Sequence, residues 1–193
     1  GIFGICGGGL AIFPALTDFT FMADKGARLF VNSPNAIEDN YEEKCDTSSA
    51  LYQSEETGLV DGVGSEEEIL QKIRTLVTML PSNNEDDASY EECTDDLNRV
   101  CSELVNCAGD TAIALSQISD NHIFFEIKEN YAQEMVTGFI KLNGMTIGAV
   151  ANRSEVYDQE GNKTAQFDGS LTSKGCRRAA EFIEFCDAFR FLS

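Results

Sequence analysis

Positive charge is scarce in this chain: 14 lysines and arginines stand against 33 aspartates and glutamates, a formal charge of -19 over 193 residues. A binder of nucleic acid or of an anionic membrane needs clustered Lys and Arg, so both partner classes are excluded. Long apolar runs are missing too. No stretch approaches the roughly 20 residues of a membrane span, while 42% hydrophobic content suffices for one substantial core or two small ones, as in a soluble globular protein. Histidine occurs once, as His122 after Asp120-Asn121, which reads as a surface turn residue rather than a catalytic base. The seven cysteines (Cys6, Cys45, Cys93, Cys101, Cys107, Cys176 and Cys186) are odd in number and include no C-x-x-C pair. Neither a zinc site nor a disulfide framework is indicated, and free buried thiols in a reducing cytoplasm are expected.

Two phosphate motifs are also absent. The glycines between Gly4 and Gly9 never fall at the offsets of a dinucleotide fingerprint, and no Gly-Lys-Ser/Thr closes a Walker loop. What the opening does contain is Gly4-Ile5-Cys6-Gly7-Gly8-Gly9-Leu10-Ala11, three consecutive glycines between an apolar run and a helix-forming run. Glycine lets neighbouring amide N–H groups converge on one point without a Cβ in the way, and a helix beginning there aims its positive end at the same point. Such a turn can hold a developing oxyanion. The same three glycines can also serve only to let a strand and a helix pack closely.

Twenty of the acids lie between Glu38 and Asp110, against Lys44, Lys72, Arg74 and Arg99, and this run reads as a solvated face. A first block extends from Gly1 to about Leu80. It contains a helix over Leu10–Leu16, strands at Phe19–Met22 and Leu29–Val31, and a break at Asn32-Ser33-Pro34-Asn35. Ser65-Glu66-Glu67-Glu68 is a capping box launching a helix with Ile69, Leu70, Ile73, Leu76, Val77 and Leu80 on one core-facing stripe. Pro81 to Asp87 stops that helix and begins a linker, and a short acidic helix is expected over Tyr90–Val105. In the second block Asp110 caps a helix through Ile113, Leu115 and Ile118, and Phe124–Ile127 reads as a strand. Gly138–Leu142 and Met145–Val150 form a hairpin about Asn143-Gly144. A polar loop, Arg153 to Gly175, leads to a helix from about Cys176 to Phe189 burying Ala179, Ala180, Phe182, Ile183 and Cys186. Strands and helices alternate in both blocks, so the fold class is α/β.

Several stretches together carry a family resemblance. Phe125-Glu126-Ile127 through Tyr131-Ala132, then Val136-Thr137-Gly138-Phe139 and Asn143-Gly144 through Gly148-Ala149-Val150-Ala151-Asn152, resemble the opening of the C-terminal half of carboxyltransferase subunits of biotin-dependent acyl-CoA carboxylases. Arg178-Ala179-Ala180-Glu181-Phe182 through Phe185-Cys186-Asp187-Ala188-Phe189 continues that similarity. Cys6-Gly7-Gly8-Gly9 with Pro14 to Phe19 resembles the N-terminal half's oxyanion loop and the helix behind it, and Leu80-Pro81-Ser82-Asn83-Asn84 resembles the link between the halves.

The resemblance implies a pair of crotonase-like domains, each a spiral of short β-β-α units. Residues 1–80 would be the later part of the first, 81–109 an acidic linker with a bridging helix, and 110–193 the beginning of the second, so a fragment of a longer subunit is expected. It implies carboxyl transfer between carboxybiotin, held on a biotin carboxyl carrier protein, and a short acyl-CoA, propionyl-CoA or methylmalonyl-CoA. The backbone amides of Gly8 and Gly9 would be the oxyanion donors, with Gly7 beside the substrate. Coenzyme A would enter as part of the substrate, and biotin's own donors would lie beyond Ser193. Biotin carboxylase or decarboxylase subunits would be partners, and the complete subunit would form a homo-oligomer. Departures from the family pattern are Asn32-Ser33-Pro34-Asn35 after Val31, Arg153-Ser154 where Gln-Pro is common, and the polar loop Val156 to Thr172. Two rivals remain: another crotonase-like CoA isomerase or hydratase, and a non-catalytic assembly module.

Overall fold

A computed structural model describes residues 1–33, 46–86, 90–107, 109–158 and 160–191. Cys45, Asp87, Ser193 and the Pro34-Asn35 break lie outside the described residues. Two compact units emerge, Gly1–Thr75 and Leu76–Ser193.

In the first unit β1 (Ile5–Gly7) leads through a 3-10 turn (Gly8–Ala11) into α1 (Ile12–Ala15) and on to β2 (Phe21–Ala23). The pattern repeats: β3 (Arg28–Phe30), α2 (Ala50–Tyr52) with a π turn (Gln53–Thr57), β4 (Gly62–Gly64), then α3 (Glu66–Met79). β1 pairs in parallel with β3, Cys6 opposite Leu29, and β2 pairs in parallel with β4, Met22 opposite Val63. Each strand therefore lies against its counterpart in the next repeat, and parallel partners demand a crossover between them. That is one turn of a spiral laid on another. The layers meet over small and medium side chains, Ile2, Ala11, Met22, Ala23, Ala27, Leu29, Ala50 and Val60, with Cys6, Leu59 and Val63 packed against them.

The capping box before α3 is present, Ser65 N–H donating to the Glu68 carboxylate and Glu68 N–H to Ser65 Oγ. The expected apolar stripe is narrower than its sequence pattern. Ile69, Leu76 and Met79 are buried, whereas Leu70 and Val77 are exposed, because those two sit about 100° round the helix from Ile69 and Leu76.

The second unit is built on an antiparallel sheet, β5 (Phe124–Glu126), β6 (Met135–Leu142) and β7 (Met145–Asn152). The Asn143-Gly144 turn joins β6 and β7 with both residues at positive φ, 50° and 79°, as a two-residue hairpin requires. Asp110 caps α4 (Thr111–Ile118) by accepting from Ala112 N–H. α5 (Ser173–Ala188) packs on β6 and β7, with Phe182 and Phe191 against Phe139 at centroid distances of 5.1 and 5.4 Å.

Three expectations for this unit need correction. The acidic helix over Tyr90–Val105 is absent apart from a 3-10 turn at Ser102–Cys107. Asp95 and Asp96 instead bind nearby amides, Asp96 N–H to Asp95 and Asn98 N–H to Asp96, a local competition that disfavours helix. The polar loop contains a second hairpin, β8 (Glu155–Tyr157) with β9 (Lys163–Gln166). On α5 the buried line is Gly175, Arg178, Phe182 and Cys186, while Ala180 and Ile183 are exposed. An arginine occupies a position where the pattern called for an apolar residue, and its partners explain why.

Candidate functional site

Gly7 is extended (φ -123°, ψ 160°) and Gly8 turns the chain at φ +63° into the 3-10 turn. A Cβ on Gly7 would stand 2.8 Å from the Phe30 ring, so close packing accounts for this glycine. Packing does not account for its neighbours. At Gly8 and Gly9 a Cβ would meet nothing within 4 Å, and Gly9 is exposed. The first amides of a helical turn have no acceptor within it, so two N–H groups are presented where the backbone is bare. Around them Ile5, Leu10 and Phe13 expose apolar side chains.

The second unit contains a charge cluster that the sequence reading missed. Arg178 is fully buried, and its guanidinium donates to Thr137 Oγ1 (3.0 Å), Tyr131 O (2.7 Å), Ile127 O (2.6 Å) and Glu126 Oε1 (2.9 Å). Arg153, 4% exposed, donates from Nε to Gln133 O and meets Asp110 and Glu126 each at 3.5 Å. Burial pushes the Glu126 carboxyl above the usual range against the pull of both guanidiniums, and burial likewise lowers Arg178. The signal available in the sequence was the spacing of Arg178, Phe182 and Cys186 along one helical line. Asp110, Glu126 and Arg153 floor a cleft of about 430 Å³ walled by α4, the turn after β5 and β8.

Tyr90 and Glu91 strap the far end of the β6–β7 hairpin. Tyr90 bridges Met145, Glu91 N–H donates to Gly144 O (3.0 Å), and the Glu91 carboxylate pairs with the buried Lys141. Asp95 accepts from Arg99 and from Asn121 N–H, interactions that hold its carboxyl down at about 2.

His122 sits exposed at φ +59°. Of the six described cysteines, all free, only Cys107 and Cys186 are buried, which corrects the expectation of buried thiols; burial pushes the Cys186 thiol up to about 12. Among the described residues no group of His, Cys, Asp and Glu could hold a metal ion, and no helix is long and apolar enough to cross a membrane.

Comparison with known proteins bears on both units together. A family model described as the carboxyl transferase domain matches residues 1–191. The chain belongs to the carboxyl transferase domain family. Over 97% of its length it is 33% identical to the propionyl-CoA carboxylase beta chain, mitochondrial, of Rattus norvegicus, and 30% identical to the methylmalonyl-CoA decarboxylase subunit alpha of Propionigenium modestum. It spans 35% and 37% of those relatives, about a third of their length. Among solved structures it matches transcarboxylase 12S, determined with hydrolysed methylmalonyl-coenzyme A bound, at a TM-score of 0.81 and 28% identity over 96% of this chain and 36% of that one. A single-chain long-chain acyl-CoA carboxylase shares the fold at a TM-score of 0.65 and 17% identity. The fold of this carboxyl transferase domain is crotonase-like α/β, in keeping with the stacked strand pairs of the first unit.

Proposed function

We propose that the chain is part of a biotin-dependent carboxyltransferase acting on a short acyl-CoA, propionyl-CoA or methylmalonyl-CoA, in the cytoplasm, with a biotin carboxyl carrier protein and a biotin carboxylase or decarboxylase subunit as partners. Residues 1–80 would belong to its first crotonase-like domain, 81–109 to the link and 110–193 to the second, in a homo-oligomer when complete. The observation that carries this reading is the bare backbone at Gly8 and Gly9 in a carboxyl transferase domain. A thioester oxygen can approach both amides there without meeting a side chain. As a carboxyl group joins or leaves the α-carbon, charge develops on that oxygen, and two fixed N–H donors stabilise the charged form more than the neutral thioester. Gly7 would keep the backbone low on the approach, and the exposed Ile5, Leu10 and Phe13 would reduce the water around the donors, strengthening them. Biotin, when present on its carrier, supplies the carboxyl group. The residues that would hold it are not among those the resemblance maps onto this chain.

The test is Gly9→Val in the complete protein. Gly9 has ordinary φ and open space beside it, so the substitution should leave melting unchanged while lowering carboxyl transfer about a hundredfold, the scale of a lost oxyanion donor. Gly8→Val is a poorer probe, since a β-branched residue at φ +63° is strained regardless of function. Unchanged turnover in folded Gly9→Val would refute the assignment.

A further inference from the structure

The cleft over Asp110, Glu126 and Arg153 has no part in the carboxyl transfer proposed above, which rests on the first unit. At about 430 Å³ it has the size of a small-molecule pocket. Its floor offers one donor and one acceptor. Arg153 spends Nε on Gln133 O, but Nη1 and Nη2 meet carboxylates only at 3.5 Å, beyond an ordinary hydrogen bond, and make no hydrogen bond among the described residues. Glu126 gives Oε1 to both arginines, and Oε2 accepts from nothing among the described residues. The Asp110 oxygens are already engaged, by Ala112 N–H and Tyr157 N–H.

Charge narrows the ligand. An anion entering the cleft would face Asp110 and Glu126, with Glu129 also on the lining, while a cation would face Arg153 with Arg178 behind Glu126. In so buried a place either repulsion is expensive. A neutral group with a carbonyl and an N–H side by side satisfies both free valences without adding charge. Ala112, Ile113 and Val156 supply an apolar wall for its body. Arg153 and Val156 also come from the stretch in which this chain departs from the family pattern, so the cleft is a feature of this chain.

We propose that this cleft binds a small neutral molecule bearing a primary carboxamide on an apolar body, its carbonyl oxygen accepting from Arg153 and its N–H donating to Glu126.

The test uses the complete protein and three isosteric probes, benzamide, benzoate and benzamidinium, read by ligand-observed saturation-transfer NMR. Benzamide should bind at least tenfold more tightly than either charged probe. Ile113→Trp, which fills the cleft from its half-exposed wall, should cut transfer to benzamide at least fivefold with melting unchanged. Ala112→Phe is the second blocking variant and decides the matter if Ile113→Trp lowers the melting temperature. Equal or tighter binding of benzoate or benzamidinium, a benzamide signal that survives the folded blocking variants, or no benzamide binding at all would each overturn the proposal.

Discussion

Gly144 joins two demands in one residue: its φ of +79° closes the hairpin, and a Cβ there would lie 1.8 Å from Glu91 O. Gly144→Ala should therefore cost about 1–2 kcal/mol for the left-handed backbone alone, with a further loss as Glu91 is displaced. Urea denaturation should show a lower midpoint at an unchanged slope. Asp95 makes a prediction in pH. Its carboxyl lies at about 2 against the ordinary 3.8, so its ion pair with Arg99 and its bond to Asn121 N–H add stability that is present above pH 3.8 and is lost as pH falls through about 2. Carboxyl carbon NMR on the folded protein should place the Asp95 midpoint near 2, and Asp95→Asn should remove that part of the acid dependence.

Among elements, α5 shows how far patterning carries. Its existence, its length and its contacts through Phe182 and Cys186 were legible from period and apolar content; its rotation was not. The Arg178 guanidinium finds acceptors contributed by β5, β6 and the turn between them, residues distant in sequence that no window along the helix includes. The β6–β7 hairpin was legible because Asn143-Gly144 fixes its turn locally, whereas β8 and β9 are short and polar and gave no alternation to read. At the glycine run the sequence signalled bare backbone, and the structure separates Gly7, pressed on Phe30, from Gly8 and Gly9, which face open space. Replacing Arg178 by Met should destabilise the protein by about 3–5 kcal/mol, because Glu126 would remain buried beside one arginine and several carbonyls would lose their donor. Chemical denaturation measures it, and a loss under about 1 kcal/mol would mean the cluster is held by other contacts.

For the whole molecule the charge distribution makes its own demand. The run from Glu38 to Asp110 carries twenty acids against four bases, yet the proposed substrate is a polyanion. Like charges beside its phosphates would slow binding, so the acids should face away from it. Neutralising Glu66, Glu67, Glu85, Asp86 and Asp87 together in the complete protein should leave acyl-CoA affinity unchanged within about threefold at physiological salt, where screening acts over ~8 Å. A tenfold change that vanishes at high salt would put the acidic run beside the substrate.

The parallel pairing of β2 with β4 also sets a timetable for the growing chain. The contact of Thr20 with Asp61 that accompanies it closes a loop of 41 residues, whereas β6 and β7 meet across a two-residue turn. Long loops must surrender entropy before their contacts repay it, and hairpins form in about 1–10 μs. The part of the chain synthesised first is thus the slower to acquire its sheet, and its strand edges stay open for pairing with other chains while it waits. Pulse-labelling hydrogen exchange during refolding should find the amides of β6 and β7 protected ahead of those of β2 and β4.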